Sequence, residues 1–241
     1  MPKAPEKPSE IFGLFIDDCK KIFGDDLLSI ILYGSGAKGD YQRKKSDINF
    51  LVVLSEESID DLKGVVPFVQ KWRKHAIAIP IFMRADYIQS SLDSYPMEFL
   101  DMKLRHQLVY GKDYLENLEI KDSDLRVQCE REIKGNLLHL RQNLISSGLK
   151  PKIMGRILIR TLPAFEAIME ALIHLKREPV PDRAKQIFEK GAELFNLDGN
   201  VFADILSIKS GQKKSHKDEL VSLFERHIST IKNLSIEVDK M

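Results

Sequence analysis

Apolar positions recur along this chain with two different periods, and the change from one to the other divides it. Ile11, Leu14, Phe15, Cys19 and Phe23 fall near 3.6-residue spacing and predict a helix over 9–24. LLSIILYG at 27–34 is a short apolar, β-branched run closed by glycine, which reads as a strand. INFLVVL at 48–54 is a second strand, so nearly continuous in apolar residues that both of its faces should be covered. Ser55-Glu56-Glu57-Ser58 then predicts the start of a helix of about 18 residues reaching Lys74. AIAIPIFM at 76–83 reads as a third strand, pushed by Pro80 toward an edge or a bulge.

After Arg84 the character shifts. DYIQSSLDSYPMEFLDMKLRHQ (86–107) predicts one or two helices, and LVYGKDYL (108–115) a short strand or turn closing the first domain. From about Asp124 onward the helical period rules. Ile133, Leu137, Leu140 and Leu144 form one amphipathic stripe, and Leu158, Leu162, Phe165, Met169 and Leu172 form another over about 153–176. Pro163 should kink or split that second helix. Further helices are expected at 182–195, 200–208 and 217–238, separated by LDGN and KSGQKK. The expected organisation is a loose polar, Pro-rich tail over 1–8, an α/β domain over 9–120 with a mixed sheet and flanking helices, and an antiparallel helical bundle over 121–241.

Composition narrows the function classes. The 241 residues are 43% hydrophobic and 30% charged, ordinary values for a globular protein. The 37 basic and 36 acidic residues leave +1, so net charge gives no case for nucleic-acid or membrane-surface binding. No segment has the unbroken apolar length of a membrane span. Cys19 and Cys129, without metal-ligand spacing, suit reduced thiols, and a cytoplasmic location is expected.

The candidate chemistry lies between the first two strands. A strand ends in Gly34-Ser35, a spacer carries Gly39-Asp40, and Ser46-Asp47-Ile48-Asn49 opens the second strand. Gly34 would let the backbone approach a phosphate closely, and Ser35 offers it a hydroxyl and an amide. Asp47 and Asn49, one residue apart in extended chain, point to the same face.

YGSGAKGDYQRKKSDINFLVV (33–53) resembles the nucleotidyltransferase signature of the DNA polymerase β superfamily, and is most similar to its minimal and aminoglycoside-type branches. PMEFLDMKLRHQLVYGKDYL (96–115) resembles the segment leaving the catalytic domain of bacterial members, and EREIKGNLLHLRQNLI (130–145) the first helix of their second domain. The resemblance implies a nucleotidyltransferase-type sheet and a nucleoside triphosphate held by Gly34, Ser35 and Ser46. It also implies Mg²⁺ on strand-borne carboxylates at the positions of Asp47 and Asn49, and a hydroxyl acceptor on the helical side of the cleft. A homodimer is expected because small two-domain members often complete their cleft across subunits.

Two departures accompany it. Asn49 stands where the family has a second carboxylate, and the third strand has no acid, with Pro80 about where the third carboxylate belongs. Asp40, Asp86, Asp93 and Glu98 are the candidate displaced ligands, although an acid in a loop or at a helix end is usually solvated. Arg131, Lys134 and Arg141 share one side of a predicted helix and form a candidate phosphate-binding face, or a solvated one. Arg131 and His139 lie too far apart for the Arg-then-His spacing of the RNA-cleaving helical domains that accompany such folds. Two functions stay open: transfer of a nucleoside monophosphate to a hydroxyl, or a catalytically impaired module that binds and regulates.

Overall fold

The computed structural model describes residues 4–55, 62–212 and 216–241. The chain divides into two compact units, Met1–Ile120 and Lys121–Met241.

The first unit is built on a sheet of four strands, β1 (Leu27–Tyr33), β2 (Asn49–Leu54), β3 (Ile81–Arg84) and β4 (His106–Gly111). Their order is β3-β2-β1-β4, with β1 antiparallel to β2 and β4, and β2 parallel to β3. Alternation along the strands gives the sheet two apolar faces. Ile30, Leu32, Phe50, Val52 and Leu54 pack with α1 (Phe12–Phe23) and α3 (Val66–Arg73), where Phe15 stacks on Phe50 at 4.3 Å and meets Trp72 edge-on. Ile31, Leu51 and Val53 pack with Ile88 of α4 (Ala85–Ser90), Phe99 and Met102 of α5 (Pro96–Leu104), and Leu115. The continuous apolarity of β2 therefore reflects burial on both sides, as its sequence requires.

Several elements differ in extent from the sequence expectation. The third strand is shorter than 76–83, because Ile77 pairs with Ile48 only as an isolated bridge and the strand proper begins at Ile81. Two residues separate Ile48 from Leu51, but three separate their partners Ile77 and Ile81, so Pro80 sits in a one-residue irregularity on an edge strand. A residue without an N–H is tolerated there. Of the helix expected over 55–74, residues 56–61 lie outside the described residues. The described part is a 3-10 turn, Leu62–Val65, leading into α3 with Pro67 in its first turn. Ser35–Lys38 adds a single helical turn, α2, in what read as a polar passage.

Ala4–Pro8, expected to be a loose tail, carries contacts in the structure. Ala4 is buried, the Tyr41 hydroxyl donates to the Pro5 carbonyl at 3.2 Å, and Arg43 Nε donates to the Ala4 carbonyl at 2.9 Å. Arg43 also pairs with Glu6.

The second unit is a helical bundle of α6 (Asp122–Ser146), α7 (Pro151–Leu175), α8 (Ala184–Leu194), α9 (Gly199–Lys209) and α10 (Lys217–Asp239). Ile133, Leu137 and Leu140 of α6 are buried as their period predicts, whereas Leu144 is half-exposed near the helix end. The expected split at Pro163 does not occur, and α7 runs through it unbroken. Pro163 faces solvent, where water can meet the carbonyl its missing N–H leaves unpaired, while Leu162 and Phe165 on either side are buried. Phe165 and Phe202 meet the ring of fully buried His227 edge-on, and Phe188 stacks on Phe202, forming the aromatic centre of this unit. Arg226 ties the α9 N-cap Asp198 and Asp204 to α10.

Candidate nucleotide site

The first unit gathers Gly34, Ser35, Ser46, Asp47 and Asn49 at one end of the sheet. β1 ends at Tyr33 and β2 begins at Asn49, and these two residues are cross-strand partners. Gly34 turns the chain with φ 69° and ψ −149°, a conformation open in practice only to glycine. It also lies close under Asn49, whose Nδ2 would be 3.2 Å from a β-carbon on Gly34. The Gly34 carbonyl then accepts from the Ala37 and Lys38 amides, closing α2, and the Ser35 carbonyl accepts from Asp40 N.

Asp47 is exposed and stands just before β2; Asn49 is half-buried on the strand. Alternation puts Asn49 on the side of Ile31, Leu51 and Val53, which is the side of α4 and α5. The Asn49 amide donates to the backbone carbonyl of Asp47 at 3.5 Å, a long contact. Ser46 has a structural task already, since its Oγ accepts from Gln42 N at 3.1 Å and closes the loop before the strand.

One cluster at this end went unread in the sequence. Lys38 Nζ lies 2.9 Å and Arg105 3.4 Å from the same oxygen of Asp101 on α5, and all three side chains are partly buried. Burial first, and then the negative charge of Asp101, pushes the Tyr33 phenol above its usual range. The available signal was weak: Lys38 falls one helical turn after Ser35, and nothing in the spacing brings Asp101 to it.

Magnesium takes a near-octahedral shell of hard oxygens and prefers charged ones. Asp47 supplies a carboxylate and Asn49 an amide oxygen, while the neighbouring third-strand stretch Ile77-Ala78-Ile79-Pro80 supplies no side-chain oxygen. Among the described residues no group of three or more His, Cys, Asp or Glu is placed to hold a metal. These donors fit one Mg²⁺ shared with substrate phosphates and do not fit two. The candidate displaced ligands do not complete the set. Arg84 engages both oxygens of Asp86, at 3.0 and 2.6 Å, and that hydrogen bonding lowers the Asp86 pKa. Asp93 accepts from the adjacent Ser94, and Asp40 is exposed.

The basic face belongs to the second unit. Arg131 Nε lies 3.6 Å from Glu132, and Lys134 pairs with Glu130 and, at 2.9 Å, with Asp239. The hydrogen bond to Glu130 and then that to Asp239 push the Lys134 pKa up. Arg141 is exposed on the same side, which also carries exposed Val127, Leu138 and Ile145. These cations therefore sit among acids and apolar side chains, and Lys134 is held within its own unit.

No protein-family model and no curated protein sequence matches the chain. Among solved structures it is similar to spectinomycin adenyltransferase AAD(9) from Enterococcus faecialis, determined with ATP and spectinomycin. Identity is 15%, the match covers 89% of this chain and 98% of that one, and the TM-score is 0.48. Among the described residues, no helix is long and apolar enough to cross a membrane.

Proposed function

We propose that this chain binds a nucleoside triphosphate at the Gly34-Ser35 turn, as a nucleotidyltransferase-type domain in which transfer chemistry is impaired. One observation carries the reading. The turn, Asp47 and Asn49 converge at one end of the sheet in the order of the signature, yet Asp47 is the one carboxylate among them.

Each residue has a definable part. Gly34 brings the backbone close to the phosphates, and the Ser35 hydroxyl and the amides of the turn donate to them. Asp47 and the Asn49 side-chain oxygen would hold a single Mg²⁺, which supplies charge neutralisation for the phosphates when bound. Asn49 brings no negative charge, so among the described residues the site lacks the donors that would hold a second ion against an acceptor hydroxyl. Lys38 and Arg105, sharing Asp101, fix α2 and with it the orientation of the turn.

A second reading is transfer of a nucleoside monophosphate to a hydroxyl on a small molecule, RNA or protein. It is favoured by the placement of Asp47 and Asn49 on one face beside a glycine turn, the arrangement that reaction uses. Calorimetric titration of ATP with and without Mg²⁺ tests the binding they share. The wild type should bind ATP more tightly with Mg²⁺, and Asp47→Ala should remove that enhancement. Absence of ATP binding at millimolar concentration in both proteins overturns both readings. Pyrophosphate release from ATP across a panel of hydroxyl acceptors, lost in Asp47→Ala, would favour transfer over the impaired module.

A further inference from the structure

The second unit contains a polar pocket of about 290 Å³ between α6 and α7, lined by Asn136, His139, Leu140, Asn143, Ile157, Arg160 and Thr161. Its size places it at the small end of ligand sites, which begin at roughly 300 Å³. Contacts between neighbouring helices of a bundle are ordinarily apolar. Here that apolar contact gives way at the surface to a groove, which Asn136, His139 and Asn143, at i, i+3 and i+7 on α6, line with Arg160 and Thr161 of α7. His139, Asn143 and Arg160 are exposed at its rim, Leu140 is buried beneath, and only Leu140 and Ile157 are apolar.

The lining selects a ligand class. Arg160 carries the single permanent charge, and no Asp or Glu lines the pocket to neutralise it. Among the described residues, the Arg160 side chain makes no hydrogen bond or ion pair. The Asn143 amide and the His139 ring add donors from the facing helix. The Asn136 amide is already fixed, donating to the Glu132 carbonyl at 2.8 Å, and so turns its oxygen the other way. Thr161 is held from behind: its hydroxyl donates to the Leu158 carbonyl at 2.7 Å and lies 3.3 Å from Nε2 of buried His227. A guanidinium with amide and imidazole donors opposite it matches an oxyanion, which accepts from several donors at once. A polycation would meet Arg160 with no counter-charge.

We propose that this pocket binds a small oxyanion-bearing molecule, a phosphate monoester or a carboxylate, independently of the Gly34-Ser35 turn in the other unit. The guanidinium of Arg160 takes the oxyanion, His139 and Asn143 donate to it, and Leu140 with Ile157 accommodates the apolar part of its body.

Inorganic phosphate and citrate serve as probes, titrated into the full-length chain by calorimetry while the ring proton signals of His139 are followed by NMR. At least one probe should bind in the millimolar range or tighter and shift His139. Arg160→Gln should weaken it about tenfold or more. Lys152→Gln, which removes an exposed cation from the same helix outside the pocket, should leave affinity within about twofold. Preference between the probes tells phosphate ester from carboxylate. Equal weakening in the two variants would mean general charge attraction and overturns the proposal, as does the absence of binding by either probe. Because Asp47 and Ser35 play no part in this test, its failure leaves the nucleotide reading untouched.

Discussion

Asn49 Nδ2 lies where it would stand 3.2 Å from a β-carbon on Gly34, so these two residues close the end of the β1–β2 ladder against each other. Gly34→Ala adds that carbon and forces an alanine into backbone reserved for glycine. The cost should be about 1–3 kcal/mol, read from urea unfolding. Combining it with Asn49→Ala should recover only the part due to the contact, since the backbone penalty stays. A Gly34→Ala protein as stable as the wild type would mean the turn is not held as described.

Asn49→Asp places two carboxylates one residue apart on one face. Without a dication they repel, so Tm in EDTA should fall below that of the wild type. Added Mg²⁺ should restore it and raise the affinity for ATP. A thermal melt that Mg²⁺ leaves unmoved would show that the second carboxylate does not complete a metal site here.

Gly111 ends β4 with φ 79°, and a β-carbon there would stand 2.0 Å from the Leu28 carbonyl oxygen. That neighbour is backbone and cannot swing aside. Gly111→Ala should cost about 3 kcal/mol or more and detach β4 from β1, read as early hydrogen exchange in 106–111.

His227 gives the second unit a pH dependence of known sign. Burial lowers its pKa from 6.5 to about 4, and its ring is surrounded by Phe165 and Phe202 with Thr161 at Nε2. Below pH 6.5 the unfolded chain takes up a proton that the folded chain refuses. Stability is therefore whole above 6.5, falls as pH drops, and stops falling from this cause below about 4. The full loss is about 3 kcal/mol. His227→Leu should flatten that interval of the pH–stability curve, measured by urea unfolding at each pH; an unchanged slope would overturn the assignment.

The two-unit plan was legible because burial writes a period into sequence. Phe15, Cys19 and Phe23 mark a helix, β2 reads as doubly covered, and the stripes of α6 and α7 announce a bundle. Strand and helix extents were less legible. Pro80 signalled an irregularity, but how much of 76–83 pairs depends on the register of β2, which lies more than twenty residues away in the chain. Pro163 misled as to a split, since α7 continues through it with buried Leu162 and Phe165 on either side.

At the candidate site the sequence determined the inventory: a glycine turn, a hydroxyl, one carboxylate just before β2, and an amide at the first position of that strand. Those are local facts, fixed by identity and by the two-residue period of extended chain. Tertiary structure decided the rest. It gave Ser46 to the loop, Arg84 to Asp86 and Lys134 to Glu130 and Asp239, and it brought Lys38 and Arg105 to one oxygen of Asp101. It also brought polar residues beside the apolar stripes of two helices together around one groove. Which charges meet depends on distances across the fold, and the spacing of residues along a chain does not encode them.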